Sequence, residues 1–264
     1  MIDRFFGRLT SPQISSELGR DSVLCLPVGS YEQHGPHLPL HTDAVIAEQF
    51  AVHLVERYGD DFDLWLLPTL PYGLSLEHAW APGTFSLTAV TFTSILKAIV
   101  SESVRTTGSR NLLLVNGHGG NRGILEAVLY ELRRECGVHA CVIHPSSLAS
   151  TKIDTTLPEI HAGLRETSVM LALSPDDVHL ENIPKSFSES DLNRSEIREF
   201  ILDRGVTWPW TSADSGISAL GIMGSDPRDA NADIGWATIN SALDACPEVL
   251  ERLLNQQVYK LTQG

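Results

Sequence analysis

Residues 22–43 have the sequence SVLCLPVGSYEQHGPHLPLHTD, and this stretch decides the fold class. Its first part, from Ser22 to Gly29, is an apolar run of strand length, which predicts a buried β-strand. Ligands at the carboxyl end of a buried strand are typical of active sites in open α/β sheets. The second part of the stretch holds five side chains that can bind a metal within twelve residues: Glu32, His34, His37, His41 and Asp43. The stretch therefore indicates a metal-dependent enzyme.

Apolar runs and amphipathic segments alternate along the first two thirds of the chain. This alternation predicts an α/β fold with a mainly parallel central sheet that helices cover on both faces. Residues 175–235 are rich in Pro, Gly, Ser and Asp, and a loop segment of this length is usually functional or interfacial. The predicted strands span 23–28, 64–67, 112–115 and 138–143, and the predicted helices span 42–58, 87–106, 121–135, 165–173 and 234–254. We expect the first helix to stop at Gly59, and residues 234–254 to form either one helix or two that divide near Pro247.

Composition excludes several classes of protein. The chain has 264 residues, 42% of them hydrophobic, which suits one globular domain over residues 1–264. The net charge of −14 argues against nucleic-acid or anionic membrane partners. The first residues lack the apolar core of a signal peptide, and no apolar run is long enough to span a membrane. The four cysteines show no CxxC spacing, so we expect reduced thiols in a cytoplasmic protein.

A second cluster, NGHGGN at residues 116–121, follows one predicted strand and precedes a helix. Its glycines allow a tight turn and close approach to a ligand, so that His118 is aimed from the carboxyl edge of the sheet. Glycines before a helix also bind phosphate, which is the competing interpretation. No GxxxxGK[ST] or GxGxxG pattern is present, and the central histidine favours a metal.

Three further positions carry alternatives of their own. Asp43 begins a predicted helix, where a carboxylate could cap the helix instead of binding a metal. Glu166 in the segment HAGLRETS (161–168) could simply be favoured by the dipole of the next helix. In the loop at 77–84, a lone His78 is more often a hydrogen-bonded loop residue than a ligand. Taken together, imidazoles and carboxylates without cysteine pairs suit Zn²⁺, Mn²⁺ or Fe²⁺. Two such ions about 3.5 to 4 Å apart on one bridging carboxylate would activate a water.

These motifs resemble those of the creatininase (creatinine amidohydrolase) family. The similarity lies in PVGSYEQHGPHLPL (27–40), Asp43, NGHGGN (116–121) and HAG with ETS (161–163 and 166–168), and it extends from about residue 20 to 175. The resemblance implies a three-layer α/β/α sandwich, often a homohexamer, with two divalent ions per subunit, Zn²⁺ before Mn²⁺ or Fe²⁺. It implies Glu32, His34, Asp43 and His118 as ligands, with Asp43 bridging the ions. It also implies that His161 handles protons during C–N cleavage.

One position departs from creatininase itself, which has a glutamate ligand two residues after the histidine of its NGH motif. Here that position is Gly120, which cannot bind a metal. The expected substitute is Glu166, as in relatives that combine NGHGGN with HAGxxET. Those relatives include the mycofactocin-precursor peptidase and the formamide hydrolase of archaeal flavin biosynthesis. The change makes creatinine a doubtful substrate and leaves metal-assisted amide hydrolysis intact.

The sequence thus predicts a metal-dependent amidohydrolase in which a metal-activated water cleaves a C–N bond of a cyclic amide, a formamide or a short peptide. His161 and Glu166 are the predicted catalytic residues. The alternatives are hydrolysis of a ring C–C or C–O bond in a carbohydrate-like substrate, and a non-catalytic metal-binding paralogue. We expect His37 and His41 to have supporting or loop roles. Aromatic side chains that either line the pocket or lie in the core or an interface are Trp80, Trp208 and Trp210.

Overall fold

Four parallel strands form the central sheet in the order β2-β1-β3-β4. The computed structural model describes residues 4–153, 158–188, 192, 194–202, 205–213, 217–218 and 220–255. The strands are β1 (Val23–Val28), β2 (Leu64–Leu66), β3 (Asn111–Asn116) and β4 (His139–Ile143). The two central strands, β1 and β3, are paired along their whole length, so that Val28 lies beside Asn116 at their carboxyl ends.

Helices connect these strands and continue after the last one. Short 3-10 turns lie between them, among them Leu76–His78 and Gly119–Asn121. In the described part of the chain, no helix is both long and apolar enough to cross a membrane. The helices are α1 (Ser11–Glu17), α2 (Thr42–Phe62), α3 (Ala89–Thr107), α4 (Arg122–Cys136), α5 (Pro145–Leu148), α6 (Leu164–Leu173), α7 (Arg194–Glu196, continued by a π-helix at Ile197–Leu202) and α8 (Ala232–Leu254).

Alternate residues of each strand enter two separate apolar cores, because successive side chains of a strand point to opposite faces. Val23 and Cys25 of β1 pack with α2, α6 and α8, whereas Leu24 and Leu26 pack with α3 and α4. All six residues of β1 and all six of β3 are buried, as expected for strands covered on both sides. The predicted α/β/α sandwich with a parallel sheet is therefore confirmed.

One predicted helix end is wrong, and the last helix takes the undivided one of its two predicted forms. Helix α2 continues through Gly59 to Phe62 and ends where Asp63 adopts a left-handed conformation. Gly59 is buried against the side chain of Arg4, so its place in the helix is a packing position. Helix α8 is one helix of 23 residues with Pro247 inside it. The buried side chains of Cys246 and Leu250 on either side of this proline hold both halves of α8 on the core.

The segment predicted as a long loop contains short helical pieces. Turns at Pro175–Asp177, Leu180–Asn182 and Pro227–Asp229 and the helix α7 interrupt it. A small third cluster of buried side chains, Leu192, Ile197, Ile217 and Met223, gives its described part an apolar core of its own. Met223 also pairs with His161 through backbone hydrogen bonds, which attaches this segment to the region of the HAG motif.

Candidate metal centre

The strand order places the predicted ligands at one point of the sheet. From β1 the chain crosses by α2 to β2 on one side, and from β3 it crosses by α4 to β4 on the other. The crevice between the carboxyl ends of β1 and β3 is therefore the point where the topology reverses, the usual ligand site of such sheets. Glu32 and His34 follow β1, and His118 follows β3. The three residues consequently enter the same crevice.

Asp43 lies between two sets of potential ligands. One of its oxygens, Oδ1, is 3.3 Å from His34 Nε2, and the other, Oδ2, is 3.0 Å from His118 Nδ1. Helix α2 begins at Thr42 with His41 as its N-cap, so Asp43 is not the capping residue. Its carboxylate is buried and faces a histidine on each side. This is the arrangement that a bridging carboxylate requires.

Close packing of Gly117 on helix α2 brings Asp43 to His118. A Cβ atom on Gly117 would lie 2.1 Å from the carbonyl oxygen of Asp43 and 3.2 Å from the amide nitrogen of Ala47. Only glycine permits this approach of the loop after β3 to the first turn of the helix. The NGHGGN turn is therefore fitted to the start of α2, and His118 is held within hydrogen-bonding distance of Asp43.

Glu32 and Glu166 each add a carboxylate to one of the two sets of potential ligands around Asp43. Glu32 Oε1 is 3.3 Å from His118 Nδ1, on one side of Asp43. Glu166 Oε2 is 3.7 Å from His34 Nε2, on the other side, and also accepts a hydrogen bond of 2.5 Å from the backbone amide of Ala162. The structure thus brings the five predicted ligands into one cluster. Glu166 reaches it from the first turn of α6.

Backbone carbonyl groups orient both histidines toward the interior of the cluster. His34 donates from Nδ1 to the carbonyl of Glu32 at 3.1 Å, and His118 donates from Nε2 to the carbonyl of Leu74 at 2.6 Å. The nitrogens left as electron-pair donors are therefore His34 Nε2 and His118 Nδ1, the two that face Asp43. Hydrogen bonds of this kind commonly fix the tautomer of metal-binding histidines.

Unsatisfied polar atoms in the cluster test whether it fits a metal. Both carboxylate oxygens of Glu32, Oδ2 of Asp43 and Nε2 of His34 are buried and have no hydrogen-bond partner among the described residues. Buried polar groups without partners are costly, since each forfeits its hydration. The mixture of nitrogen and oxygen donors matches Zn²⁺ and Mn²⁺. The residues present therefore fit divalent cations.

The ionisation of the cluster also reflects its crowding with acids. Burial disfavours the charged form of His34, but the carboxylates of Asp43 and Glu166 outweigh it and raise its pKa to about 10. Burial would raise the pKa of Asp43, but His34 and His118 keep it below its usual range. For Glu166 burial prevails over the attraction of His34 and raises the pKa to about 7. A cation that binds His34 and Glu166 would therefore have to displace protons from these two side chains.

His161 enters the cluster from the segment before α6. Its Nε2 donates to the carbonyl of Gln33 at 2.7 Å, which leaves Nδ1 facing Glu32 Oε1 at 3.5 Å. The ring lies between those of His34 and His78, with centroids 4.2 Å and 4.1 Å away. Burial, followed by the nearby His34 and His78, lowers the pKa of His161 well below its usual value. His161 is therefore a neutral imidazole with a free electron pair directed into the site.

His78 is a hydrogen-bonded residue of its loop, as the sequence suggested, but it and its neighbour Glu77 also lie beside the cluster, which the sequence did not predict. His78 is buried, its Nε2 lies 3.6 Å from Glu32 Oε1, and its Nδ1 is bonded to Gln33 at 2.9 Å and to Ser212 at 2.7 Å. Burial lowers its pKa to about 4. The adjacent Glu77 and His78 were the one sequence signal for this position. A single Glu-His pair in a loop is weak evidence for a site unless the strand end that the loop faces is known.

Other candidates lie outside the cluster. His37 is buried and bonded through Nε2 to Thr167 Oγ1 at 2.9 Å, and His41 is part-exposed with Nε2 3.9 Å from Asp177. Neither belongs to the donor sets. Of the three candidate tryptophans, Trp80 donates to the Ser212 hydroxyl that contacts His78, Trp210 lies edge-on to His78, and Trp208 packs on Phe200.

Comparisons with known proteins agree with this geometry. The family model for creatininase, described as creatinine amidohydrolase, matches residues 7–250. The chain is 33% identical to the mycofactocin precursor peptide peptidase of Mycolicibacterium smegmatis, over 93% of this chain and 90% of the relative. It is 32% identical to the creatinine amidohydrolase of Pseudomonas putida, over 71% and 80% respectively.

Comparison with solved structures indicates the same family. A solved structure described as "Creatininase Mn" is similar with a TM-score of 0.71 and 25% identity, and the alignment covers 97% of this chain and all of that one. The matched region contains every strand of the sheet and every residue of the candidate metal centre. The chain therefore belongs to the creatininase family, whose members named above are hydrolases of C–N bonds.

Proposed function

We propose that this protein hydrolyses a C–N bond with the help of two divalent metal ions held on either side of Asp43. The observation that carries the proposal is the division of the cluster by this carboxylate. His34 lies near one of its oxygens with Glu166 beside it, and His118 lies near the other with Glu32 beside it. Glu32 Oε1 is also 4.0 Å from His34 Nε2, so this carboxylate lies between the two histidines. The unsatisfied buried atoms of Glu32, His34 and Asp43 support cations as the missing partners.

Residues of the chain would orient the reaction. When bound, a pair of divalent ions lowers the pKa of a water molecule and polarises a carbonyl oxygen. His161 is suited to move protons, because its neutral ring presents Nδ1 to the site while Gln33 holds the opposite nitrogen. In this proposal it accepts a proton from the attacking water and returns it to the leaving nitrogen. Since an amine is a poor leaving group unless it is protonated, the second transfer is essential to cleavage.

Glu166 has a double role in this proposal. Its Oε2 faces His34, and the same oxygen accepts the amide proton of Ala162 at the start of the HAG segment. It would therefore act as a ligand and also fix the turn that carries His161. We infer that it takes the place of the ligand that Gly120 cannot provide.

Three classes of amide fit a site of this chemistry: a cyclic amide, a formamide and a short peptide. Similarity over nearly the whole chain to a precursor peptide peptidase supports the short peptide. Trp210 lies edge-on to His78, and Trp80 donates to the Ser212 hydroxyl that contacts His78; aromatic side chains this close to the cluster are suited to contact apolar parts of a peptide. We therefore place a short peptide first among the substrate classes.

The test uses purified protein stripped by a chelator and assayed for released amine on a panel of short peptides, lactams and formamides. We expect loss of activity on stripping and recovery with Zn²⁺ or Mn²⁺. The variant His161→Asn should keep its metal and lose turnover, whereas His41→Asn, outside the donor sets, should keep both. Full activity in protein without detectable metal would refute the proposal.

We also propose that residues 1–264 form one hydrolase domain that assembles into a homohexamer. Residues from β1 to the last turn of α8 share one apolar core, which supports the single domain. Large apolar side chains exposed on this chain support the assembly: Leu76, Phe85, Val90 and Tyr130. Light scattering coupled to size-exclusion chromatography measures the number of subunits, and a monomer would contradict the assembly.

A further inference from the structure

Glu77 places a fourth carboxylate beside the metal centre, and the site as described so far does not use it. Its Oε1 lies 3.6 Å from Nε2 of His118, the ring nitrogen that donates to the carbonyl of Leu74, whereas Nδ1 of the same ring faces Glu32 and Asp43. Glu32, Glu77 and His118 each offer one ligand atom, and these three atoms all lie within 4.8 Å of one another. The group is the donor set on the Glu32 side of Asp43, extended by one residue.

The space that Glu77 occupies exists because residue 120 is glycine. A Cβ atom on Gly120 would lie 2.4 Å from Glu77 Oε1 and 2.5 Å from His118 Nε2. Any side chain at this position would have to displace the carboxylate or the imidazole. Glycine at 120 therefore removes one possible ligand and at the same time admits the carboxylate of Glu77.

Hydrogen bonds hold the loop of Glu77 in place from two directions. The amide of Leu74 donates to Asn121 Oδ1 at 2.9 Å, which ties the loop to the NGHGGN turn. The amide of Ser212 donates to the carbonyl of Glu77 at 2.9 Å from the opposite side. The carboxylate thus projects from a short 3-10 turn, Leu76–His78, that is anchored on both sides.

The carboxylates around Glu77 favour the binding of a cation. The side chain of Glu77 is 17% exposed, and its carboxylate belongs to the same group of close ligand atoms as that of Glu32. Both oxygens of Glu32 nearby are buried without hydrogen-bond partners. Two neighbouring carboxylates that are largely removed from water repel each other unless a positive charge lies between them. A divalent ion in contact with both would remove this repulsion and satisfy the oxygens of Glu32.

We propose that Glu77 is a ligand of the metal ion held by Glu32, His118 and Asp43. This inference rests on the proposed function, because it assumes a metal on that side of Asp43. The ion there would have four ligands from the protein, while the ion at His34, Asp43 and Glu166 would have three. Four protein ligands are typical of closed zinc sites, and three with an open position are typical of catalytic ones.

The test measures the two stepwise Zn²⁺ affinities of the whole protein by competition with a chromophoric chelator. For Glu77→Gln we expect one affinity to fall about 10-fold or more and the other to stay as in the unmodified chain. The complementary variant Glu166→Gln should weaken the other ion. Glu126→Gln, which changes an exposed glutamate on α4, is the matched control and should change neither.

Two outcomes separate failure of this inference from failure of the proposed function. If the unmodified protein binds two ions and Glu77→Gln binds both with unchanged affinity, Glu77 is not a ligand, and the two-metal site stands. If the unmodified protein does not bind two ions, the proposed function itself fails. Should Glu77→Gln prove unstable, Glu77→Ala is titrated in formate, a small carboxylate. If formate restores the Zn²⁺ affinity that Glu77→Ala loses, the ligand role is supported. If the affinity is lowered in Glu77→Ala and formate does not change it, the ligand role is overturned.

Discussion

Replacing Gly117 by alanine tests how the packing of the NGHGGN turn sets the metal centre. The new Cβ would lie 2.1 Å from the carbonyl oxygen of Asp43, and ordinary contact begins at 3.4 Å, so turn and helix must separate by about 1.3 Å. The neighbouring atoms belong to the backbone of α2 and cannot rotate away. Overpacking of this kind costs about 1–3 kcal/mol of stability. Because metal ligands must be placed to within about 0.2 Å, a larger effect is expected on binding.

The expected result for Gly117→Ala is weaker binding of both ions, since the helix that moves carries the carboxylate between them. We expect a loss of about 10- to 100-fold in each Zn²⁺ affinity, the range found for residues that orient ligands. Chelator competition measures the affinities, and urea denaturation of the stripped protein measures stability. Gly119→Ala, two residues away with nothing within 4 Å of its new Cβ, is the matched control and should leave both unchanged. Equal affinities in the two variants would refute the packing argument.

Three further predictions follow from the site and the core. Glu32→Gln and His118→Ala should each reduce the metal bound per subunit, as measured by elemental analysis, and two ions retained in both variants would exclude these residues as ligands. Metal affinity should rise with pH between about 6 and 8, because the metal must displace protons from Glu166 and His34. Burial raises the pKa of Glu166 to about 7, and the acidic neighbours of His34 raise its pKa to about 10. Calorimetry in buffers of different ionisation enthalpy should detect the released protons, and an affinity independent of pH would contradict this. Leu114→Ala in the fully buried strand β3 should cost about 2–5 kcal/mol in urea denaturation without changing metal affinity, and a loss below about 1 kcal/mol would show that the strand is not the core described.

The fold was largely predictable because the strands of the sheet are short continuous apolar runs. Strands β1 and β3 are six residues each and fully buried, so their sequences contain few polar residues that would obscure them. The ends of two helices were not predictable from local preference. Gly59 and Pro247 usually end helices, but packing on the core keeps both within one.

Much of the candidate site was also predictable, because the order of the parallel strands determines which loops lie next to one another. Residues that follow neighbouring parallel strands meet at one edge of the sheet, which brings Glu32 and His118 together although 86 residues separate them in the sequence. Glu77 and His78 follow no strand directly. Their position depends on the bond from Leu74 to Asn121 and on Ser212, which no local pattern reveals.

Anomalous diffraction from crystals soaked in Zn²⁺ tests the central claim, a pair of metal ions bridged by Asp43, most directly. The account predicts two peaks about 3.5 to 4 Å apart, one on each side of this carboxylate, one next to His34 and Glu166 and the other next to His118 and Glu32. A single peak, or peaks that do not contact Asp43, would contradict it.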